Sequence, residues 1–223
     1  MKRGLTFDAA AHVYELDGEI VPSVTQILTR AGLIDFSHLP GYVREAALER
    51  GRVVHQAIHY WNEHDLDVEA FGRSFPQYAG YLDAWRSFCD QRAFVAVLNE
   101  RRIASRRHRV AGTLDCLGTL DRVGVLLDFK TGNPADVASD LQTAAYLSLA
   151  LEYARDEDDH ALTGFFGRYE VVRRYGVQLK ADGSFRLDPY TTGTDWRDFA
   201  TLRAAQQIVE NRRGAYAAYD EVA

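Results

Sequence analysis

The chain contains little cysteine and no long apolar run. Its two cysteines, Cys89 and Cys116, are too few and too unpatterned for a disulfide framework, a structural zinc site or an iron–sulfur cluster. No apolar stretch reaches the length that a bilayer requires, and the start of the chain turns polar before the apolar part of a secretory signal could develop. We therefore expect a protein of the reducing cytoplasm with no membrane partner.

Lysine is also scarce, since only three lysines stand beside 23 arginines. One of them ends an apolar run in the segment Leu127-Asp128-Phe129-Lys130-Thr131-Gly132, which predicts a buried strand followed by a turn. Because side chains alternate along a strand, Asp128 and Lys130 should point to the same face. In a chain that uses arginine for nearly every cation, a lysine here indicates that its compact ammonium is needed.

A second acid, Asp115, lies in the preceding predicted strand, 109–120. Asp121 and Arg122 predict a tight turn between the two strands, which would bring Asp115 beside Asp128. Two carboxylates with room for water suit Mg²⁺ or Mn²⁺ better than zinc. The alternative interpretation is an ordinary surface pair of Asp128 and Lys130, with Asp115 in a loop.

The formal net charge of −6 argues against indiscriminate binding to nucleic acid. Five arginines nevertheless cluster just before the Asp115 strand: Arg101, Arg102, Arg106, Arg107 and Arg109. A basic strip beside a carboxylate pair is typical of a site that handles phosphate. The alternative is a solvated hairpin with its turn at 105–108, and an acidic stretch, 152–159, offers the opposite charge.

Two predicted helices carry further candidates. The helix over 42–63, with a possible break at Gly51, holds His55 and His59 one turn apart. The glutamate of a zinc-protease motif is absent, so we expect either one histidine that ligates a carboxylate-bound metal or an ordinary half-buried histidine. The helix over 138–153 presents Gln142 and Tyr146 on one face, where they could contact phosphate, order water or pack against the sheet.

The remaining pattern predicts a single domain, 1–223, without repeats or linkers. Asp-Gly pairs at 17–18 and 182–183 predict an N-terminal and a C-terminal β-hairpin within alternating segments 5–21 and 164–190. Ser23 should cap a helix that runs to residue 28, and Asp195 should cap the C-terminal helix over 195–216. The other predicted elements are a helix over 75–92, a strand over 94–103 that carries Glu100, a turn at 132–134, and inward-facing Trp196, Phe199, Leu202 and Ile208.

Four motifs in this order resemble the PD-(D/E)XK nuclease superfamily, and within it the RecB-like exonuclease branch. They are Arg50-Gly51-x3-His55, Gly112-Thr113-x-Asp115, Asp128-Phe129-Lys130-Thr131-Gly132 and Gln142-x3-Tyr146. The resemblance implies an α/β fold with a restriction-endonuclease-like αβββαβ core at about 45–180. A mixed central sheet flanked by helices would be joined by the two terminal hairpins and the C-terminal helix.

The resemblance also implies roles for these residues. His55, Asp115, Asp128 and the carbonyl of Phe129 would ligate a divalent metal. Lys130 would orient or deprotonate the attacking water, and Glu100 matches an acid often found on the first core strand, in a register that the sequence leaves open. Contacts to DNA would come from Gln142, Tyr146 and Thr131, together with the arginine strip.

The function implied is that of a Mg²⁺- or Mn²⁺-dependent DNA exonuclease acting in recombination, repair or replication. It is similar to stand-alone phage or organelle exonucleases, so we expect single-stranded DNA or DNA with free ends as partner, in the cytoplasm of a bacterium or a phage-infected host. The P-loop motif is missing, so any helicase or recombination partner would be a separate protein. The alternatives are a non-catalytic nucleic-acid-binding module with the same fold and an unrelated α/β enzyme.

Overall fold

The structure is a computed structural model that describes residues 4–132 and 138–220. In this part of the chain the fold is α/β, with a mixed five-stranded sheet, a three-stranded sheet and seven helices. The strands are β1 Leu5–Asp8, β2 Val13–Leu16, β3 Glu19–Val21, β4 Val95–Ser105, β5 Val110–Leu120, β6 Val123–Lys130, β7 Val172–Leu179 and β8 Phe185–Tyr190. The helices are α1 Val24–Arg30, α2 Gly41–Asn62, α3 Val68–Ser74, α4 Ala79–Arg92, α5 Ser139–Asp156, α6 His160–Arg168 and α7 Asp195–Asp220.

The small sheet is the predicted N-terminal hairpin extended by one strand. β1, β2 and β3 pair antiparallel, and Asp17 and Gly18 both take positive φ, as a tight hairpin turn requires. Ser23 then caps α1 in a capping box with Gln26, which confirms the predicted helix start. Ala111 of β5 forms an isolated bridge with Ser23, so this unit is fastened to the large sheet.

The large sheet has the strand order β4-β5-β6-β7-β8. Its pairs are antiparallel except for β6 and β7, which are parallel and are connected through α5 and α6. The predicted turn at Asp121 and Arg122 is confirmed, because both residues take positive φ and Leu120 pairs with Val123. The second predicted hairpin is confirmed as β7–β8, with Gly183 at φ 83°.

Helices cover both faces of the large sheet. On one face Leu126 packs in a core with Leu149 of α5 and Phe199 of α7. On the other face Leu127 and Phe129 pack in a core with Trp85 of α4 and Val54 of α2. The strands are therefore buried on both sides, which explains why β5 and β6 read as almost continuous apolar runs.

Two helical predictions need correction. α2 continues through Gly51 without a break, because Val53, Val54 and Ala57 bury one face beyond it. Residues 160–168, partly assigned to an alternating segment, form α6 instead. The carboxylate of Asp159 caps this helix by accepting from two backbone N–H groups, so β7 begins only at Val172. The short helix α3 was not predicted.

The C-terminal helix also differs in detail. Asp195 is the first residue of α7, and its buried carboxylate accepts a hydrogen bond from Arg174 Nη2 at 2.6 Å. Phe199 is fully buried as predicted, but Ile208 is 59% exposed, because the second half of the helix leaves the core. The turn predicted at 132–134 falls largely outside the described residues. Among the described helices none is both long and apolar enough to cross a membrane.

Candidate active site

A cleft of about 1210 Å³ opens where β5 and β6 meet α2 and the N-terminal sheet. One wall is the exposed face of α2, and the opposite wall is made by the small sheet and the loop before α2. His55, Glu100 and Lys130 reach into the cleft from three different elements. Thr131 and Gly132, which follow the end of β6, also line it.

Three potential metal ligands converge at the base of this cleft. His55, Glu100 and Asp115 each offer one ligand atom, and these atoms lie within 4.8 Å of one another. His55 Nδ1 is 3.6 Å from Glu100 Oε1 and 3.6 Å from Asp115 Oδ1. Three stretches of chain far apart in sequence therefore supply an imidazole and two carboxylates to one point.

The register of the sheet explains why the acids meet. The β4–β5 register pairs Asn99 with Cys116 and Arg101 with Leu114, so Glu100 and Asp115 lie opposite each other. The β5–β6 register ends at the pair of Cys116 and Leu127, and one further step places Asp115 opposite Asp128. Glu100, Asp115 and Asp128 thus form a row across three neighbouring strands. The short turn after Leu120 predicted that Asp115 and Asp128 would be neighbours.

Glu100 takes a left-handed backbone conformation in the middle of β4, with φ 47°. Such a conformation is costly for a residue with a side chain and is typical of strained functional positions. It lets two successive residues contact α2, since Glu100 faces His55 while Asn99 Oδ1 accepts from Asn62 Nδ2 at 2.7 Å. Trp85 Nε1 donates to Asn62 Oδ1 at 2.9 Å, which anchors this network in the core.

His55 is oriented by the backbone of β6. Its Nε2 lies 3.1 Å from the carbonyl oxygen of Phe129, and because a carbonyl only accepts, Nε2 carries a proton. Nδ1 is then directed at Asp115 and Glu100. Burial opposes charging of the ring, but the carboxylates of Asp115, Glu100 and Asp128 outweigh it and raise the pKa of His55 to about 9.

Asp115 is held at the centre of the row. Its Oδ2 accepts from the backbone N–H of Phe129 at 2.7 Å. Burial raises the pKa of this carboxyl to about 7; the positive charge of His55 opposes that shift, and the negative charges of Asp128 and Glu100 add to it. Positive charge placed close to this carboxyl would favour its ionised form.

Asp128 and Lys130 form an ion pair that continues to α5. Lys130 Nζ lies 2.9 Å from Asp128 Oδ2 and donates to Gln142 Oε1 at 3.0 Å. Gln142 Nε2 in turn donates to the hydroxyl of Tyr146 at 3.3 Å. Gln142 therefore contacts the lysine and Tyr146 holds Gln142, and we infer that this pair positions the ammonium.

Gly112 makes room for this arrangement. A Cβ at Gly112 would lie 2.7 Å from Cε1 of Tyr146, so only glycine lets the tyrosine ring lie against β5. The neighbouring Thr113 forms a 2.8 Å hydrogen bond between its Oγ1 and the hydroxyl of Tyr14. Both residues of the Gly-Thr pair thus have a packing role beside the acid at Asp115.

The predicted metal ligands are brought together only in part. His55 and Asp115 converge, and Glu100 completes the cluster, whereas Asp128 lies beside it in the ion pair with Lys130. The carbonyl of Phe129 accepts from His55. Thr131 accepts a hydrogen bond from Arg50 Nε at 3.3 Å, which connects the first and third motifs.

The arginine strip lies on the β4–β5 hairpin, and most of its charge is already paired. The ion pairs are Arg101 with Asp159, Arg106 with Asp17 and Glu157, and Arg109 with Glu19. The side chain of Arg107 is exposed and its backbone N–H donates to Glu152 Oε1 at 3.4 Å. Arg102 differs, because its guanidinium lies 5.1 Å from the ring centre of Phe7, which lines the cleft.

Some residues of the cleft were not predicted. Arg44 and Arg52 of α2 line it, as do Tyr14 and His12 of the N-terminal unit. The eight-residue spacing of Arg44 and Arg52 places them on one side of a helix. The sequence does not show that this side of α2 faces a cleft. The hydrogen bond between Asn62 and Asn99 could not be predicted from the sequence, because neither asparagine belongs to a recognisable motif.

The donor set fits a divalent cation. Glu100 Oε1 is buried and accepts no hydrogen bond from the residues that the structure describes. Its ionic neighbour, Nδ1 of His55, lies 3.6 Å away, beyond hydrogen-bond distance, and a bound cation is one way to satisfy this oxygen. Two carboxylates suit Mg²⁺ and Mn²⁺, and the imidazole shifts the preference towards Mn²⁺. Three protein ligands would leave coordination positions open for water and substrate.

No protein-family model matches this chain, and neither does any curated protein. The function is therefore inferred from the fold and from the geometry of the cleft.

Proposed function

We propose that the protein is a Mg²⁺- or Mn²⁺-dependent DNA exonuclease of the PD-(D/E)XK type. One observation supports this above all: an imidazole and two carboxylates converge at the base of an open cleft that Lys130 also enters. Hydrolysis of a phosphodiester needs a nucleophile at neutral pH and positive charge at the phosphorus. A metal site with a neighbouring ammonium meets both needs.

The order of the elements supports the same proposal. A helix is followed by the antiparallel strands β4, β5 and β6, and α5 then leads, through α6, to β7, which is parallel to β6. With α3 and α4 inserted before β4, this order agrees with the αβββαβ succession that the resemblance implies. His55 of α2 lies at the carbonyl of Phe129 and Gln142 of α5 accepts from Lys130, which supports a common site for these motifs at the end of β6.

The residues of the chain would divide the chemistry between them. His55 Nδ1, Glu100 and Asp115 would hold the ion, which when bound supplies a water of lowered pKa and neutralises charge on the phosphate. Lys130, held between Asp128 and Gln142, would stabilise the negative charge that develops on the phosphate oxygens. The rigid strand end would align the phosphate and the water, which is the positional part of the catalysis.

The proposal also covers the substrate, the pathway and the partner of the enzyme. The substrate would be single-stranded DNA or DNA with free ends, in recombination, repair or replication, and a helicase or recombination protein would be a separate partner. A non-catalytic module that binds nucleic acid with the same fold is the competing hypothesis. The two differ in one measurable respect, since only the enzyme cuts.

The test is a timed digest of end-labelled single- and double-stranded DNA with Mg²⁺ or Mn²⁺, with and without EDTA. We expect metal-dependent release of nucleotides that is lost in Asp115→Asn. In Lys130→Ala the rate should fall by about 10² or more while Mn²⁺ binding persists. Asp182→Asn, in the β7–β8 turn, is the control and should act as wild type. Retention of DNA without cleavage would favour the binding module, and wild-type turnover in Asp115→Asn would refute the proposed centre.

A further inference from the structure

Two groups of arginines lie near the proposed site, and they differ in their ionic partners. On the β4–β5 hairpin, Arg101, Arg106 and Arg109 are each paired with a carboxylate. The hairpin tip is also remote, because Arg106 is six residues along the chain from Glu100, about 20 Å in an extended strand. Phosphate binding by these three arginines would require breaking existing ion pairs, whereas the exposed Arg107 lies at the remote tip.

The second group lies on α2. Arg44 and Arg52 line the cleft, and within the described part of the chain neither has a carboxylate within 4.0 Å. They are eight residues apart, which places them on the same side of the helix and separates them by about 12 Å. Leu48 lies between them and also lines the cleft, whereas the acids Glu45 and Glu49 do not. The charges of α2 are thus sorted, with its cations towards the cleft.

The same side of α2 leads to the metal ligands. His55 follows Arg52 by three residues and Arg44 by eleven, so the rise along the helix to His55 is about 4.5 Å and about 16 Å respectively. Ala47 and Gly51, small residues that also line the cleft, leave space along this path. α2 therefore presents Arg52 and Arg44 at increasing distance from the proposed point of cleavage, while Arg50, which also lines the cleft, donates a hydrogen bond to Thr131.

We propose that Arg44 and Arg52, the α2 arginine track, bind two separate backbone phosphates of the one DNA strand whose end reaches His55. This inference rests on the proposed function for its ligand. Arg52 would contact a phosphate next to the one that is hydrolysed. Arg44, about 12 Å from Arg52, would contact a phosphate about three to four nucleotides beyond it at the B-form rise of about 3.4 Å, and fewer in an extended strand. Arg101, Arg106 and Arg109 of the β4–β5 hairpin would stay in their ion pairs.

The test measures binding of labelled oligothymidylate in EDTA, so that no hydrolysis interferes, over a range of salt concentrations. Arg44→Ala and Arg52→Ala should each weaken binding of a long oligonucleotide several-fold. Each should also reduce the slope of log affinity against log salt by about 0.7, the value for one phosphate of a single strand. Arg197→Ala removes an exposed helical arginine outside the cleft, and should leave both quantities unchanged.

The length of the oligonucleotide distinguishes the contribution of Arg44 from that of Arg52. With an oligonucleotide of about two nucleotides, Arg52→Ala should still weaken binding, while Arg44→Ala should have no effect, because the strand no longer reaches it. Thermal unfolding of each variant checks that the fold is kept. Wild-type affinity and salt slope in both α2 variants would overturn the proposal, as would a larger loss in Arg107→Ala than in either of them.

The outcome can be separated from that of the nuclease proposal. If wild type binds DNA through Arg44 and Arg52 but never cuts it with Mg²⁺ or Mn²⁺, the α2 arginine track stands and the nuclease proposal fails. If the protein cuts DNA while both variants bind normally, the nuclease proposal stands and the track fails. Absence of any DNA binding by wild type would refute the track.

Discussion

Metal binding at the proposed centre should be strongly pH-dependent because of His55. Its Nε2–H is committed to the Phe129 carbonyl, so Nδ1 is the only nitrogen left for an ion. With a pKa of about 9, Nδ1 is protonated at neutral pH in the metal-free protein. Removing that proton two pH units below the pKa costs about 2.7 kcal/mol, which is about a hundredfold in affinity.

Isothermal titration with Mn²⁺ between about pH 7 and pH 9 measures this dependence. We expect affinity to rise by about tenfold per pH unit, and release of about one proton per ion near pH 7.5 when buffers of different ionisation heat are compared. His55→Asn, which replaces the titrating ring by a smaller amide that does not titrate, should bind more weakly and lose this slope. Equal affinity across the range, or an equal slope in His55→Asn, would refute the assignment of Nδ1 as a ligand.

The same protons affect stability. His55 has a folded-state pKa above its ordinary value of 6.5, so its contribution is complete below about pH 6.5 and is lost as the pH rises through 9. The raised pKa of Asp115 acts in the same direction, because the folded state holds that proton more tightly and loses the advantage as the pH rises through about 7. The melting temperature of the metal-free protein should therefore fall between about pH 6 and 9, and the gain from added Mn²⁺ should grow.

Three further substitutions test the surroundings of the site. Gln142→Leu should lower kcat by about ten- to a hundredfold with Mn²⁺ affinity unchanged, since Lys130 loses an acceptor; an unchanged kcat would contradict the positioning role. Gly112→Ala should reduce the free energy of unfolding in urea by about 1–3 kcal/mol, because the new Cβ meets Tyr146, and equal stability would show that the ring can move. Glu100→Gly should be about 1 kcal/mol more stable in urea than Glu100→Ala, while both bind Mn²⁺ more weakly than wild type; the reverse order of stability would refute backbone strain at φ 47°.

Local signals predicted much of the scaffold. Asp17-Gly18 and Asp121-Arg122 adopt the positive φ values that tight hairpins require, and these are properties of a few neighbouring residues. The turn at Asp121 also fixes the register of β5 against β6, which is why the meeting of Asp115 and Asp128 could be predicted. A tight turn, and the strand register that it fixes, can thus be predicted from the sequence.

Long-range charge pairing was not predictable in the same way. Arg101, Arg106 and Arg109 of the hairpin are paired with Asp17 and Glu19 from the N-terminal sheet and with Glu157 and Asp159 from the connection between α5 and α6. The acidic stretch was visible in the sequence, but its contact with the hairpin depends on how α5 crosses the sheet. The sequence also could not predict which way the side chain of Glu100 points. Its left-handed φ breaks the alternation of side chains along β4, and a glutamate gives no indication of that conformation.

The end of β6 divides the proposed site between the two faces of the sheet. Phe129 packs on Trp85 with ring centres 4.7 Å apart, and its backbone N–H and carbonyl bind Asp115 and His55 on the α2 side. Lys130 points to the other face, towards Gln142 of α5. In the proposed reaction, a phosphate in contact with both the ion and the ammonium would therefore lie beyond the end of the strand, where the two faces are no longer separated by backbone. Residues 131 and 132 line the cleft at that point, so the short segment after Lys130 is where both halves of the chemistry can reach one phosphate.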